Sequence, residues 1–351
     1  MNSRIRIWGI GLVVALAFSM APSEASLDGT IDYSNDRIVP LFTNPDWIDA
    51  QGSGFLCSSR IVLTAAHTAF SFDANGNRVE FRAGLSVGLP NANINKNKLG
   101  VRVIKRFSAP GYLAANNPDL NDFSVLVLEK DLIEAEPAVL LTPEIEAELL
   151  EKRAEVQLHG YGNIVDLCAA NEPLPCKTNN PQTSAVPRAV KATLQKYEDF
   201  SALVGYAPNA KFANQLLFFT PGKSSMCGGD SGGSLTTTYN GKLLYLANIG
   251  TAFNIYACGQ SRTFDGKGGI NYSQPIYRYL DLIKAAETYV AEQIAIEKAA
   301  QVAATPTPTP TKASTSPLTN KAKATTTCVK NKQVKVLKGA NAKCPKGYTK
   351  K

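Results

Sequence analysis

The chain has 351 residues, 44% of them hydrophobic, and a formal net charge of +8. That is enough apolar material for a sizeable core and enough length for more than one structural unit. The charge is uneven: Ala303–Lys351 holds eleven lysines and no acid, residues 1–25 add a net +1, and subtracting both from +8 leaves residues 26–302 at −4. A mildly acidic body excludes a nucleic-acid-binding core and confines any attraction to anionic surfaces to the tail.

In chain order, residues 1–25 have the make-up of a secretory signal: Arg4 and Arg6, an apolar run from Ile7 to Met20, and Ser23-Glu24-Ala25 at the cleavage site. A retained membrane anchor is the alternative, disfavoured because the apolar run is short for a spanning helix. Export implies an oxidising, extracellular setting.

Residues 26–285 read as one domain of short β-branched segments separated by Gly, Pro and Asn. Examples are Ile61-Val62-Leu63, Gly100 to Ile104, Phe123 to Leu128, Val156-Gln157-Leu158 and Leu243 to Leu246. Helical periodicity is poor, so an all-β barrel or sandwich follows. Asp73-Ala74-Asn75-Gly76-Asn77 alternates oxygen ligands, but it lacks the terminal Glu of a calcium loop and reads as an Asn-Gly turn. No metal or cofactor is expected.

From Tyr279 onward Leu280, Leu282, Ile283, Ala286, Tyr289, Val290 and Ile294 recur at helical spacing, so a C-terminal helix extends over 286–303. The Thr-Pro repeat from Thr305 to Pro310 cannot continue it, and residues 304–324 form a stiff linker. Residues 325–351 form a small lysine-rich unit that needs a Cys328–Cys344 staple to hold a hairpin. Local spacing also pairs Cys168 with Cys176. Cys57, in the apolar run Gly54-Phe55-Leu56-Cys57, is expected to be a buried, inert thiol.

Gly229-Asp230-Ser231-Gly232-Gly233 is the stretch with the clearest chemistry. A serine hydroxyl is a poor nucleophile until a base, usually histidine, takes its proton. G-x-S-x-G also fits the nucleophile elbow of α/β-hydrolases, but those need a histidine after the serine, and the only histidines are His67 and His159. The surviving order is His67 in Thr64-Ala65-Ala66-His67, Asp122 at the head of Asp122-Phe123-Ser124-Val125-Leu126, then Ser231. A phosphate loop is a weak reading of the glycines, since no Lys-Ser/Thr follows.

These three blocks, in this order, resemble the chymotrypsin/trypsin-like serine proteases. The resemblance implies two six-stranded antiparallel barrels, divided near residues 140–155, with the active site between them. Ser231 would be the nucleophile, His67 the base and Asp122 its orienting acid. Asp119 is the rival acid, but the apolar run begins directly after Asp122. His159, in a segment resembling the family's Gly-Trp-Gly turn, is expected to be structural.

The N–H groups of Gly229 and Ser231 would form the oxyanion hole. Asp230 matches the acid that receives the mature N-terminal amine, and cleavage after Ala25 would create that end at Ser26. The resemblance also pairs Cys227 with Cys258. The family's bridge flanking the histidine is absent, with Thr68 and Gly52 in its places, and a second bridge, between strands near Val156 and Thr237, is missing too.

Ser225 stands where the pocket floor lies in relatives; with Met226, Gly250, Thr251 and Ala252 it would line a pocket for an apolar or medium-sized residue. Which of Gly250 or Thr251 matches the family's substrate-binding serine stays open. The function expected is a secreted, monomeric serine endopeptidase acting on polypeptides, with no cofactor. The alternative is a catalytically silent adhesion protein held at the cell envelope by the basic tail.

Overall fold

The computed structural model describes residues 29–42, 52–69, 71–72, 78–79, 84–96, 100–110, 121–164, 182–199, 214–221, 224, 226–250, 268–304, 325–330, 333–338 and 343–350. The signal segment, the linker, Cys168, Cys176, Cys258, Asp119, the Asp73–Asn77 turn, Ser225, Thr251 and Ala252 lie outside these residues. The chain divides into two compact units, one ending at Glu297 and one beginning at Lys298.

The first unit opens with β1 (Thr30–Ile31), followed by β2 (Ile38–Phe42), β3 (Gly52–Ser58) and β4 (Ile61–Thr64). A single helical turn, α1 (Ala66–Ala69), precedes the small hairpin of β5 (Ser71–Phe72) and β6 (Arg78–Val79). Then come β7 (Ser86–Gly88), β8 (Gly100–Ser108) and β9 (Ser124–Leu128). Strands β2-β3-β4-β9-β8-β7 close into an antiparallel barrel. Alternate residues of these strands, among them Val39, Leu41, Leu56, Val62, Val87, Val101, Leu126 and Leu128, form one buried cluster.

Past β9 lie β10 (Val139–Leu140), helix α2 (Pro143–Glu151), β11 (Glu155–Gly160), β12 (Arg188–Gln195), β13 (Leu216–Pro221), β14 (Ser234–Tyr239), β15 (Lys242–Asn248) and β16 (Gly268–Ser273). Thr142 caps α2, its hydroxyl accepting from the Ile145 N–H, with Pro143 at the first helical position. The sheet runs β10-β15-β14-β11-β12-β13-β16, with β1 added against β12.

The first barrel thus matches the expected architecture and the second corrects it. Among the described residues the second sheet is a curled half-barrel, and its rim strand β15 pairs in parallel with β10 through Val139–Leu244 and Leu140–Tyr245. Strand β16, at the far rim, pairs with β13 and with no other strand among the described residues.

A larger core joins the two halves. Phe55, Leu63, Phe123, Val125 and Val127 of the barrel side meet Val156, Leu158, Val190, Leu235, Leu244 and Tyr245 of the sheet. Phe55 and Tyr245 lie with ring centroids 4.4 Å apart, as do Phe123 and Tyr279, which are stacked nearly parallel. Helix α3 (Leu280–Ala304) buries Ile283 and Ala286 on this core. Its Glu297 takes a two-pronged contact from Arg60 (3.0 and 3.1 Å), whose Nε also meets Asp131 at 2.7 Å.

In the second unit β17 (Thr325–Lys330) pairs with β18 (Gln333–Lys338) and with β19 (Thr349–Lys350), and Cys328–Cys344 staples the sheet.

Cys57 is free and buried, and burial pushes its thiol up to about 11, which keeps it protonated at neutral pH. The Tyr245 hydroxyl is fully buried with no hydrogen-bond partner among the described residues. An unmet buried hydroxyl costs about 1–3 kcal/mol, so Tyr245→Phe is expected to be neutral or to stabilise by up to about 1 kcal/mol in urea unfolding.

Candidate active site

His67 sits on α1, directly after β4, where Ala65 and Ala66 are small enough to be fully buried against the barrel. Asp122 stands just before β9, the strand paired with β4, so sheet register brings the two side chains together. Asn121 adopts φ +62, a left-handed conformation that asparagine tolerates, and this turns the chain sharply ahead of Asp122. The Asp122 carboxylate is 7% exposed. Its Oδ1 accepts the backbone N–H of His67 at 2.9 Å, and its Oδ2 lies 2.7 Å from His67 Nδ1. Two contacts to one residue fix both the rotamer of the acid and the plane of the imidazole. From the second sheet, Asn248 Nδ2 donates to the Asp122 carbonyl at 2.9 Å.

Ser231 enters this place from the second sheet, just ahead of β14. Its carbonyl accepts the N–H of Ser53 on β3 at 2.8 Å. Gly232, at φ +82, packs so tightly that a Cβ there would lie 2.0 Å from Thr64 Oγ1 and 2.8 Å from the Ala65 nitrogen. The residue after the serine is therefore pressed against the very turn that carries His67, and Ser231 itself is half-buried. Gly229 adopts φ +97, and its carbonyl accepts Ser53 Oγ at 2.8 Å. The Asp230 N–H of the same peptide unit donates to the Cys227 carbonyl at 3.0 Å, which closes the loop ahead of Ser231.

Asp230 points inward and is 1% exposed. Its Oδ1 accepts the Gly162 N–H at 2.7 Å and its Oδ2 the Cys227 N–H at 2.8 Å. The carboxylate thus ties the serine loop to the turn after β11. A Cβ on Gly162 would fall 2.4–2.5 Å from the carboxylate atoms, and one on Gly160 would fall 2.2 Å from Oδ1. The glycines of His159-Gly160-Tyr161-Gly162 are there to let Asp230 in. Residues 26–28, expected to bring an amine to Asp230, lie outside the described residues, and Gly29 is held by Arg188 Nη1 at 3.0 Å.

His159, the rival base, is 1% exposed, and its Nε2 lies 3.1 Å from Asp32 Oδ2. That hydrogen bond holds the Asp32 carboxyl far below the usual carboxylate range, against the opposing effect of burial. Because the folded value is depressed, the Asp32 carboxylate's contribution to stability is present above about pH 4 and fades as the pH falls below it. His159 fastens the N-terminal strap to β11.

Of the expected pocket residues, Gly250 is half-buried beside Asp122, and Met226 is buried in the large core. Cys227 is disulfide-bonded. Thr68 and Gly52, where a bridge was expected to be absent, do face each other: a Cβ on Gly52 would lie 2.8 Å from Thr68 Cγ2.

Sequence reasoning missed Ser53. Fully buried, it accepts the Tyr161 N–H at 2.9 Å and donates to Gly229, linking barrel, serine loop and β11 turn through one hydroxyl. The only signal for it was a lone polar side chain within the glycine-rich start of an otherwise apolar strand, Gly52-Ser53-Gly54-Phe55.

Comparison with known proteins decides the family. The trypsin family model matches residues 43–283, more than half of the chain. The chain belongs to the trypsin family of serine proteases. It is thus a serine endopeptidase, a hydrolase, and the assembly around Ser231 is read in that light. Among solved structures it is similar to neuropsin, described as a serine protease expressed in the limbic system of mouse brain. The TM-score is 0.50 at 17% identity over 74% of this chain and 99% of that one, a likeness of fold alone. No curated protein matches the sequence.

In this trypsin-family chain Gly162→Ala is expected to displace the Asp230 carboxylate and cut kcat/KM by about 100-fold, the scale of a 1 Å misplacement of catalytic groups. Steady-state hydrolysis of a peptide ester, with folding followed by circular dichroism, measures it.

Proposed function

We propose that this endopeptidase hydrolyses peptide bonds by a Ser231-His67-Asp122 triad through an acyl-enzyme. The observation that supports it is the double contact of His67 with a nearly buried Asp122, beside the turn against which Gly232, the neighbour of Ser231, packs. Asp122 orients the imidazole and offsets its charge, which leaves Nε2 to take the Ser231 proton. His67 then returns that proton to the leaving amine, and a water repeats the sequence to release the acyl group. The N–H groups of Gly229 and Ser231 serve the developing oxyanion.

The residue before the scissile bond is apolar or medium-sized. A serine, not a carboxylate, stands at 225, so that position supplies no charge with which to hold Lys or Arg. A fluorophosphonate probe is expected to label the native protein and not Ser231→Ala. That variant is expected to lose about 10⁴-fold or more of the cleavage of a peptide library, whose wild-type profile is rich in apolar residues at that place. An unlabelled native protein would favour the silent adhesion reading.

The tail has its own role. Residues 325–351 carry eight lysines and no acid, on a sheet stapled by Cys328–Cys344. The exported enzyme is held by this unit at anionic wall polymers or lipid headgroups through charge alone. Truncation at Thr305 is expected to abolish retention on the cell surface at low salt, and high salt is expected to release the full-length enzyme.

A further inference from the structure

A cavity of ≈ 10 Å³, about the space one water needs, borders Asp122. Gln215, Asn248, Gly250, Ser273 and Tyr279 help line it. The carboxylate has spare acceptor capacity here: His67 supplies both of its described hydrogen bonds, whereas a carboxylate offers about four positions.

Three polar atoms of residues lining the same cavity are buried and without a hydrogen-bond partner among the described residues, namely Gln215 Nε2, Gln215 Oε1 and Ser273 Oγ. The two residues are 8% and 5% exposed. Leaving such groups unmet costs about 1–3 kcal/mol each, and a water is the one occupant small enough to meet them there. A Cβ built on Gly250 would stand 3.8 Å from Asp122 Oδ2 with no closer neighbour among the described residues, so a hydroxyl side chain at this position would reach the carboxylate. This chain has none.

We propose that one water in this cavity donates to Asp122 and is itself held by Gln215 and Ser273. The two become positioning residues: through the water they hold the rotamer of Asp122, and through Asp122 the plane and tautomer of His67. Phe123 stacked on Tyr279, whose hydroxyl donates to Gln274 Oε1 at 2.7 Å, keeps the wall of the cavity rigid.

The inference rests on the triad reading, and labelling of the wild-type protein by the fluorophosphonate probe tests that reading separately. A crystal structure of the wild type is expected to show a water within hydrogen-bond distance of Asp122, Gln215 and Ser273; a dry cavity overturns the proposal whether or not the enzyme labels. In kinetics, Gln215→Leu and Ser273→Ala are each expected to lower kcat about tenfold with KM within about twofold. Gly250→Ser in the Gln215→Leu background is expected to recover most of that loss, and Gly250→Ala to recover none. Unchanged kcat in the folded variants, or equal effects of Ser and Ala at 250, would sink the idea. Should Gln215→Leu fail to fold, Ser273→Ala with and without Gly250→Ser decides the matter in the same way.

Discussion

A charge buried where water cannot reach it is the constraint around which the second half of this protein is arranged. Asp230 carries a carboxylate to 1% exposure, and without partners such a group would cost several kcal/mol. Backbone amides supply them: Gly162 and Cys227 each aim an N–H at one of its oxygens. Bonds to an ionised acceptor contribute about 1.5–3 kcal/mol apiece, but only if the backbone comes close. Hence the glycines at 160 and 162, and hence the tight loop at 227–233. Ser231 is placed by its neighbour's need for solvation as much as by its own contacts.

Across the cleft the same logic operates with a different group. Asp122 is nearly buried and is met by the main chain and ring of one residue, His67. Ser53 then joins the two sides with a hydroxyl that accepts from one segment and donates to another. Here polar contacts specify geometry, and the apolar core around Phe55, Phe123 and Tyr245 supplies most of the cohesion. This division suits a protein in which Gly52 and Thr68 take the places of a disulfide beside the histidine. Close packing of a glycine on a threonine methyl stands where a covalent link is missing.

Much of this was legible in the residues, and the reasons are specific. His67, Asp122 and Ser231 announce themselves because glycine, alanine and histidine occur there in patterns that chemistry dictates. The all-β class was legible from short β-branched segments, the closed barrel only through the resemblance to a known family, and the C-terminal helix from its 3.6-residue spacing. The open second sheet was not. Two residues, Val139 and Leu140, capture the rim of β15, and so short a strand has no periodicity to read. Ser53 escaped for a related reason: its importance lies in partners 108 and 176 positions away. Gln215 and Ser273 are likewise ordinary polar residues until the fold sets them beside one carboxylate.

The strap at the N-terminal end has a consequence for how the molecule is made. Thr30 and Ile31 pair with Ala189 and Arg188, and Asn35 donates to Ser234 Oγ across 199 positions. During synthesis the chain emerges from its beginning, so the first described segment must wait unpaired while its partners are still being added. The barrel of β2 to β9 lacks no strand by then and can form ahead of it. The earliest residues made are among the last to be secured, and until then an open strand edge is offered to whatever is nearby. Shielding of this segment until β12 has been made would guard the chain against pairing in the wrong place.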